Sequence, residues 1–157
     1  MSNLKIFLKV LEKYGYPNPK IETIAETISY NLNDFLVDLI EDIGHDATVS
    51  FVDKALSKLS EGDKGIKIDL EYGGYVYITP IIEDIDRFGS VNLKWNYTDT
   101  SILAADEDGN EVYKTLDEIY DEIDLGGLSD FDELIEYIQK DADEFIFNNC
   151  GFYVSFT

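Results

Sequence analysis

The chain contains a single histidine, His45, and a single cysteine, Cys150. Zinc is held by three or four nitrogen and sulfur ligands, so these two side chains cannot build a zinc site. One cysteine also excludes an intrachain disulfide. His45 directly follows the helix stop Gly44, where a histidine is expected to serve the C-terminal carbonyls of the preceding helix. Cys150 lies between Asn149 and Gly151 beside an apolar run and reads as a small buried hydrophobe. No motif joins the two as a Cys/His nucleophile pair. Asp106, Asp108 and Gly109 resemble part of a calcium loop. With Gly109 as the turn glycine, Ala104 and Thr115 would occupy the first and last ligand positions, where carboxylates are needed. A hairpin turn is the expected reading. Gly73-Gly74 and Gly126-Gly127 match neither the P-loop nor the dinucleotide fingerprint. The expectation is a chain without metal, without cofactor and without enzymatic activity.

Carboxylates are the abundant chemistry: 33 Asp+Glu stand against 12 Lys+Arg, a formal net charge of −21. Residues 1–20 hold four lysines and one glutamate, whereas residues 99–157 hold 17 acids and two lysines. The expected partner-binding set lies in this last segment. It comprises Asp117, Glu118, Asp121, Glu122 and Asp124, then Asp130, Glu133, Glu136, Asp141 and Glu144, interrupted by Lys140. On a helix, acids three or four residues apart recur every ~4.5–6 Å. Phosphates of one nucleic-acid strand rise by about 3.4 Å per nucleotide. Like charges at this helical spacing each cost a few tenths of a kcal/mol, and here no interspersed lysines relieve them. Tyr72, Tyr75, Tyr77, Tyr97 and Tyr137 are candidates for half-exposed positions, where tyrosine is a favoured interface residue.

The elements that must carry these acids follow from periodicity. Leu4, Phe7, Leu8, Leu11 and Tyr14 recur at helical spacing, stopped by Gly15 and Pro17-Asn18-Pro19. Ile21, Ile24, Ala25 and Ile28 form a second stripe, and Leu32, Phe35, Leu36, Leu39, Ile40 and Ile43 a third, ended by Gly44. Asp46 is the expected cap of a fourth helix with Val49, Val52, Leu56 and Leu59 inward. The period then changes to two. Ile66, Ile68, Leu70 and Tyr72, then Gly73-Gly74, then Tyr75 to Ile78, read as a hairpin. Pro80 argues against an interior strand position there. Val91, Leu93, Trp95 and Tyr97 alternate with polar residues, and Ile102 to Lys114 reads as a second hairpin. Thr115 and Glu118 fit a capping box ahead of Leu116, Ile119, Tyr120 and Ile123. Ser129 is the expected cap of a last long helix, and Phe152 to Phe156 a terminal strand that returns to the sheet.

This order predicts an α+β fold in one domain, residues 1–157. Helices occupy 1–62, a central antiparallel sheet of about four to six strands occupies 63–114, and two acidic helices plus a final strand occupy 115–157. Leu, Ile, Val and Phe make up about a third of the residues, enough for a core despite the charge. Direct nucleic-acid binding is excluded on charge, since a single arginine, Arg87, and 11 lysines face an overall field that repels polyanions. Anionic membranes are disfavoured for the same reason, and no apolar run approaches the ~20 residues of a membrane helix. Met1 to Leu11 lacks the features of a secretory signal, so a cytoplasmic location is expected.

The expected function is that of a non-enzymatic acidic binding or inhibitor protein. Its partner would be a basic protein surface of the kind that normally holds nucleic acid. In composition, though in no motif, it resembles the small acidic nucleic-acid mimics that viruses and mobile elements use against restriction or CRISPR nucleases. The alternatives are an immunity-type antidote to a basic toxin, a phage structural or accessory protein, a small carboxylate-dependent hydrolase, and an acidic face that does no more than keep the chain in solution.

Overall fold

The structure, a computed structural model, describes residues 5–15, 32–71, 73–105, 108–122 and 128–156. It shows an α+β fold. Helix α1 (Lys5–Lys13) buries Phe7, Val10 and Leu11 at the i, i+3, i+4 spacing of an amphipathic helix. Helix α2 (Asn33–Ile43) buries Phe35, Leu36 and Leu39, and helix α3 (His45–Lys58) buries Thr48, Val52, Ala55 and Leu56. Gly44, at φ 93°, separates these two helices as both the end of one and the cap of the next. Asp46 is therefore not the cap but a first-turn acid, placed where the helix dipole favours negative charge. The buried Thr48 hydroxyl donates to Gly44 O at 2.8 Å and closes the corner. The stripe Ile21 to Ile28 and the Pro17-Asn18-Pro19 stop lie outside the described residues.

Strands β1 (Ile66–Asp69), β2 (Gly74–Ile85), β3 (Val91–Ala105) and β4 (Glu111–Lys114) lie in the order β1-β2-β3-β4. The glycine-pair hairpin is present, with Asp69 opposite Tyr75 and Ile66 opposite Ile78. Strand β2 continues through Pro80, against the sequence expectation. The reason is local. Leu70 N–H donates to Gly74 O, so over the stretch paired with β1, up to Ile78, the even-numbered β2 residues direct their backbone groups toward β1. Strand β1 begins at Ile66, opposite Ile78, so at Pro80 no β1 residue awaits an N–H. The second hairpin pairs Ile102 with Lys114 and Ala105 with Glu111.

Helices α4 (Leu116–Glu122) and α5 (Leu128–Cys150) precede strand β5 (Val154–Phe156). Strand β5 returns to the sheet as expected, but it pairs parallel to β3, Val91 opposite Val154. The five-stranded sheet is therefore mixed, not wholly antiparallel. Helix α5 already includes Leu128, one residue before the Ser129 expected to cap it. The Gly126-Gly127 break lies outside the described residues. No helix among the described residues is long and apolar enough to cross a membrane.

Backbone contacts divide the chain into two units, and the division runs through β2, β3 and α5. The first comprises Met1–Leu59, Pro80–Trp95 and Asp143–Thr157. Its core gathers Phe7, Leu11, Leu36, Val52, Ile85, Leu93, Ile146, Cys150 and Phe152, with Phe7 edge-on to Phe152 at 5.4 Å. Asn33 ties this unit together. Its amide donates to Gly89 O at 2.8 Å and Tyr153 O at 3.0 Å and accepts from Tyr153 N–H at 2.9 Å. The second unit comprises Ser60–Thr79 and Asn96–Ala142. It buries Ile66, Ile68, Val76, Ile78, Ile102, Leu116 and Ile138.

Two glycines at nearly the same positive φ separate backbone strain from close packing. Gly89 (φ 81°) would place a Cβ 1.9 Å from Asn33 O, whereas a Cβ on Gly109 (φ 83°) meets nothing within 4 Å. Gly109→Ala is expected to cost about 1 kcal/mol from φ alone. Gly89→Ala is expected to cost at least twice that, because the Asn33 junction must shift as well. Urea unfolding of the two variants measures the difference, and equal losses would mean the contact yields freely.

Candidate functional site

Helix α4 is fixed at its start by three backbone N–H groups, each given an acceptor. Thr115 N–H donates to Glu118 Oε1 at 3.2 Å and Glu118 N–H to Thr115 Oγ1 at 3.1 Å, the reciprocal pair expected from the sequence. The buried Leu116 N–H donates to Thr100 Oγ1 at 2.8 Å. Asp117 and Glu118 are thereby held on the exposed side. The Tyr97 hydroxyl donates to Asp117 Oδ1 at 2.5 Å. That bond, with lesser help from burial and the Asp117 charge, pushes the Tyr97 phenol up to about 12. Asp121 and Glu122 belong to α4 and Asp130 to α5, but their side chains lie outside the description, as does Asp124 altogether.

Helix α5 turns Ile138, Ala142, Ile146 and Cys150 inward at every fourth position. The opposite face in the second unit exposes Glu133, Glu136, Tyr137 and Lys140, with Asp132 at its flank. Ring contact at 5.0 Å between Tyr120 and Phe131 joins α4 to α5. Tyr113, Tyr120 and Tyr137 are each more than half exposed. No ion pair within 4 Å joins Asp117, Glu118, Glu133 or Glu136 to a cation among the described residues.

Two of the expected acids differ from the rest in their surroundings. Asp141 is half-buried and accepts from Glu71 N–H at 3.2 Å, so it terminates a backbone group as well as carrying charge. Glu144 is exposed but belongs to the first unit. Glu133 and Glu136 are ~4.5 Å apart along the axis, but the next residues on that face are Tyr137 and Lys140, so carboxylates do not recur at every turn. Of the tyrosines, Tyr97 and Tyr137 are exposed, Tyr75 is half-buried and Tyr77 is buried, while Tyr72 lies outside the described residues.

Other chemistry is placed as follows. His45 Nε2 lies 3.1 Å from both Asp84 Oδ1 and Ile85 O. Both are acceptors, so this nitrogen carries the proton and serves β2, not the α2 carbonyls. Cys150 is fully buried, and burial pushes its thiol up to about 12. Among the described residues no group of three or more His, Cys, Asp or Glu is arranged to hold a metal ion.

A second acidic stripe lies on α2. Asp34, Asp38, Glu41 and Asp42 are exposed at i, i+4, i+7 and i+8 on α2, a helix without lysine. That spacing was readable in advance. The phenol partners of the acids were not, since Tyr97 and Asp117 are 20 residues apart and Tyr77 and Glu61 are 16 apart. Compared with protein-family models, curated proteins and solved structures, the chain matches none.

Asp143 gives a pH test. It is half-buried, and desolvation raises its pKa although Val154 N–H donates to it at 3.0 Å, which lowers it. The folded state therefore binds this proton more tightly than the unfolded chain does, and stability falls as pH rises from the ordinary carboxylate value through the raised one. Asp143→Asn keeps the acceptor oxygen and removes the charge. It is expected to melt higher than the parent at pH 7, with the advantage shrinking as pH falls toward 4. A lower melting temperature at pH 7 would show that the N–H bond needs the charge. The Tyr97 shift is checked separately: in Asp117→Asn, the phenol should titrate closer to 10 by NMR of labelled tyrosine.

Proposed function

We propose that this chain acts by binding, docking the acidic surface of α4 and α5 onto a basic protein whose surface normally holds nucleic acid. The observation that carries this reading is the set of exposed carboxylates Asp117, Glu118, Glu133 and Glu136, with no cationic partner among the described residues. A partner would supply the missing cations, and the long-range field of a −21 chain would speed encounter. Exposed Tyr120 and Tyr137 on the same two helices add flat apolar area at small entropic cost and can stack on arginine. These tyrosines also favour a second reading, an antidote to a basic toxin, because imitation of phosphates alone would not require them.

The test is capture of basic proteins from a lysate at low and high salt, with and without duplex DNA. Binding should fall steeply with salt. Release by DNA supports occupation of a nucleic-acid site, and retention against DNA supports the antidote reading. Glu133→Lys with Glu136→Lys should weaken capture at least tenfold while thermal unfolding stays cooperative. Undiminished capture by this variant would remove α5 from the proposal.

A further inference from the structure

The lysines are as unevenly placed as the acids. A groove of about 730 Å³ lies along α1 and the end of α3, lined by Ile6, Lys9, Val10, Glu12, Lys13 and Lys58. Its volume is in the range of small-molecule sites, roughly 300–1,000 Å³. Val10 is buried and belongs to the core of the first unit, with Ile6 packed against that core, so the floor is apolar and firmly backed. Three ammonium groups stand against one carboxylate on the rim. Lys9 and Lys13 are one turn apart on α1, and Lys58 ends α3.

Lys9, Lys13 and Lys58 form no ion pair within 4 Å among the described residues, in a chain with 33 acids. Lys13 lies 5.7 Å from the Tyr14 ring centroid, and nearby Lys54 is held more closely. Its ammonium donates to Ser50 Oγ at 2.9 Å and lies 4.3 Å from the Tyr14 ring centroid, so its position has a structural account. Helix dipoles account for Lys13 and Lys58 being in last turns. They do not account for Lys9, nor for all three meeting around an apolar floor.

We propose that this groove binds a small amphiphilic monoanion, a carboxylate head on an apolar chain. The head would lie among Lys9, Lys13 and Lys58 and the chain along Ile6 and Val10. A ligand of low charge fits the surroundings. Screening confines each charge to about 8–10 Å at physiological salt, so a monoanion feels the local lysines, whereas a long polyanion also meets the acids that dominate the chain.

Octanoate titrated into the full chain by calorimetry is the probe, with octan-1-ol and acetate as tail-only and head-only controls. Saturable one-to-one binding of octanoate, tighter than either control, is expected. Replacing all three lysines (Lys9→Gln, Lys13→Gln and Lys58→Gln) should weaken it at least tenfold, and Lys140→Gln should leave it unchanged. Binding of octan-1-ol as tight as octanoate, or an unaffected triple variant, would overturn the role of the lysines. Acetate binding as tight as octanoate would overturn the role of the floor, and the absence of saturable octanoate binding would overturn the site. Circular dichroism checks that the triple variant folds. Lys58→Gln alone, with a loss of about threefold, carries the same test if it does not.

Discussion

The shortage of cations is the constraint on which this structure depends. Thirty-three carboxylates stand against twelve Lys+Arg, and two of the lysine–carboxylate pairs among the described residues are loose: Lys67–Asp69 at 3.9 Å and Lys94–Glu83 at 3.6 Å. Exposed pairs of this kind contribute about 0–1 kcal/mol. Acids drawn toward the protein are instead satisfied by neutral donors. Asp86 accepts from Phe88 N–H and Ser90 N–H, Asp141 from Glu71 N–H, Asp143 from Val154 N–H, and Glu118 from Thr115 N–H. Tyr97 and Tyr77 donate hydroxyls to Asp117 and Glu61. A carboxylate that closes a backbone turn needs no cation to do so, so the fold is held together without drawing on the scarce lysines.

This use of acids explains why the local structure was largely legible. The Thr115/Glu118 box depends on two residues three apart and the hairpin at Gly73-Gly74 on a few neighbouring ones, so short-range chemistry decides both. The change from period 3.6 to period 2 near residue 60 likewise reports which faces are covered. The misread positions are those decided by distant partners. Pro80 sits inside β2 because β1 is too short to reach it. His45 is drawn to Asp84 and Ile85, about forty residues away in sequence. The parallel pairing of β5 with β3 joins residues more than sixty apart, and no local pattern distinguishes it from an antiparallel return.

The candidate surface was legible to the same depth. A 3.6-residue period placed Glu133 and Glu136 outward and Ile138 and Ala142 inward, as the structure has them. Periodicity could not separate acids that only carry charge from those that also accept a backbone N–H, because that depends on which loop passes by. Asp141 and Asp143 fall in the second group. The α2 stripe is legible by the same period, since Asp34, Asp38, Glu41 and Asp42 recur at helical spacing on a helix without lysine.

The spacing on α5 bears on what kind of cationic surface could match it. From Glu133 to Lys140 is about 10 Å of helix, over which the exposed face offers two carboxylates, a tyrosine and then an ammonium. A phosphate strand would place about three negative charges over that rise, all of one sign. The match to a nucleic-acid backbone is thus partial on α5, and Asp117 and Glu118 of α4 would have to supply the rest. A groove shaped only by phosphate would gain little from Tyr120 and Tyr137 and would be opposed by Lys140. A protein surface that presents arginine or lysine together with apolar patches would use all of them: carboxylates for the cations, tyrosine rings for guanidinium stacking and apolar contact, and Lys140 to set register. For the proposed docking, the cations of a nucleic-acid-holding protein surface would therefore need apolar contact beside them to use the whole of this face.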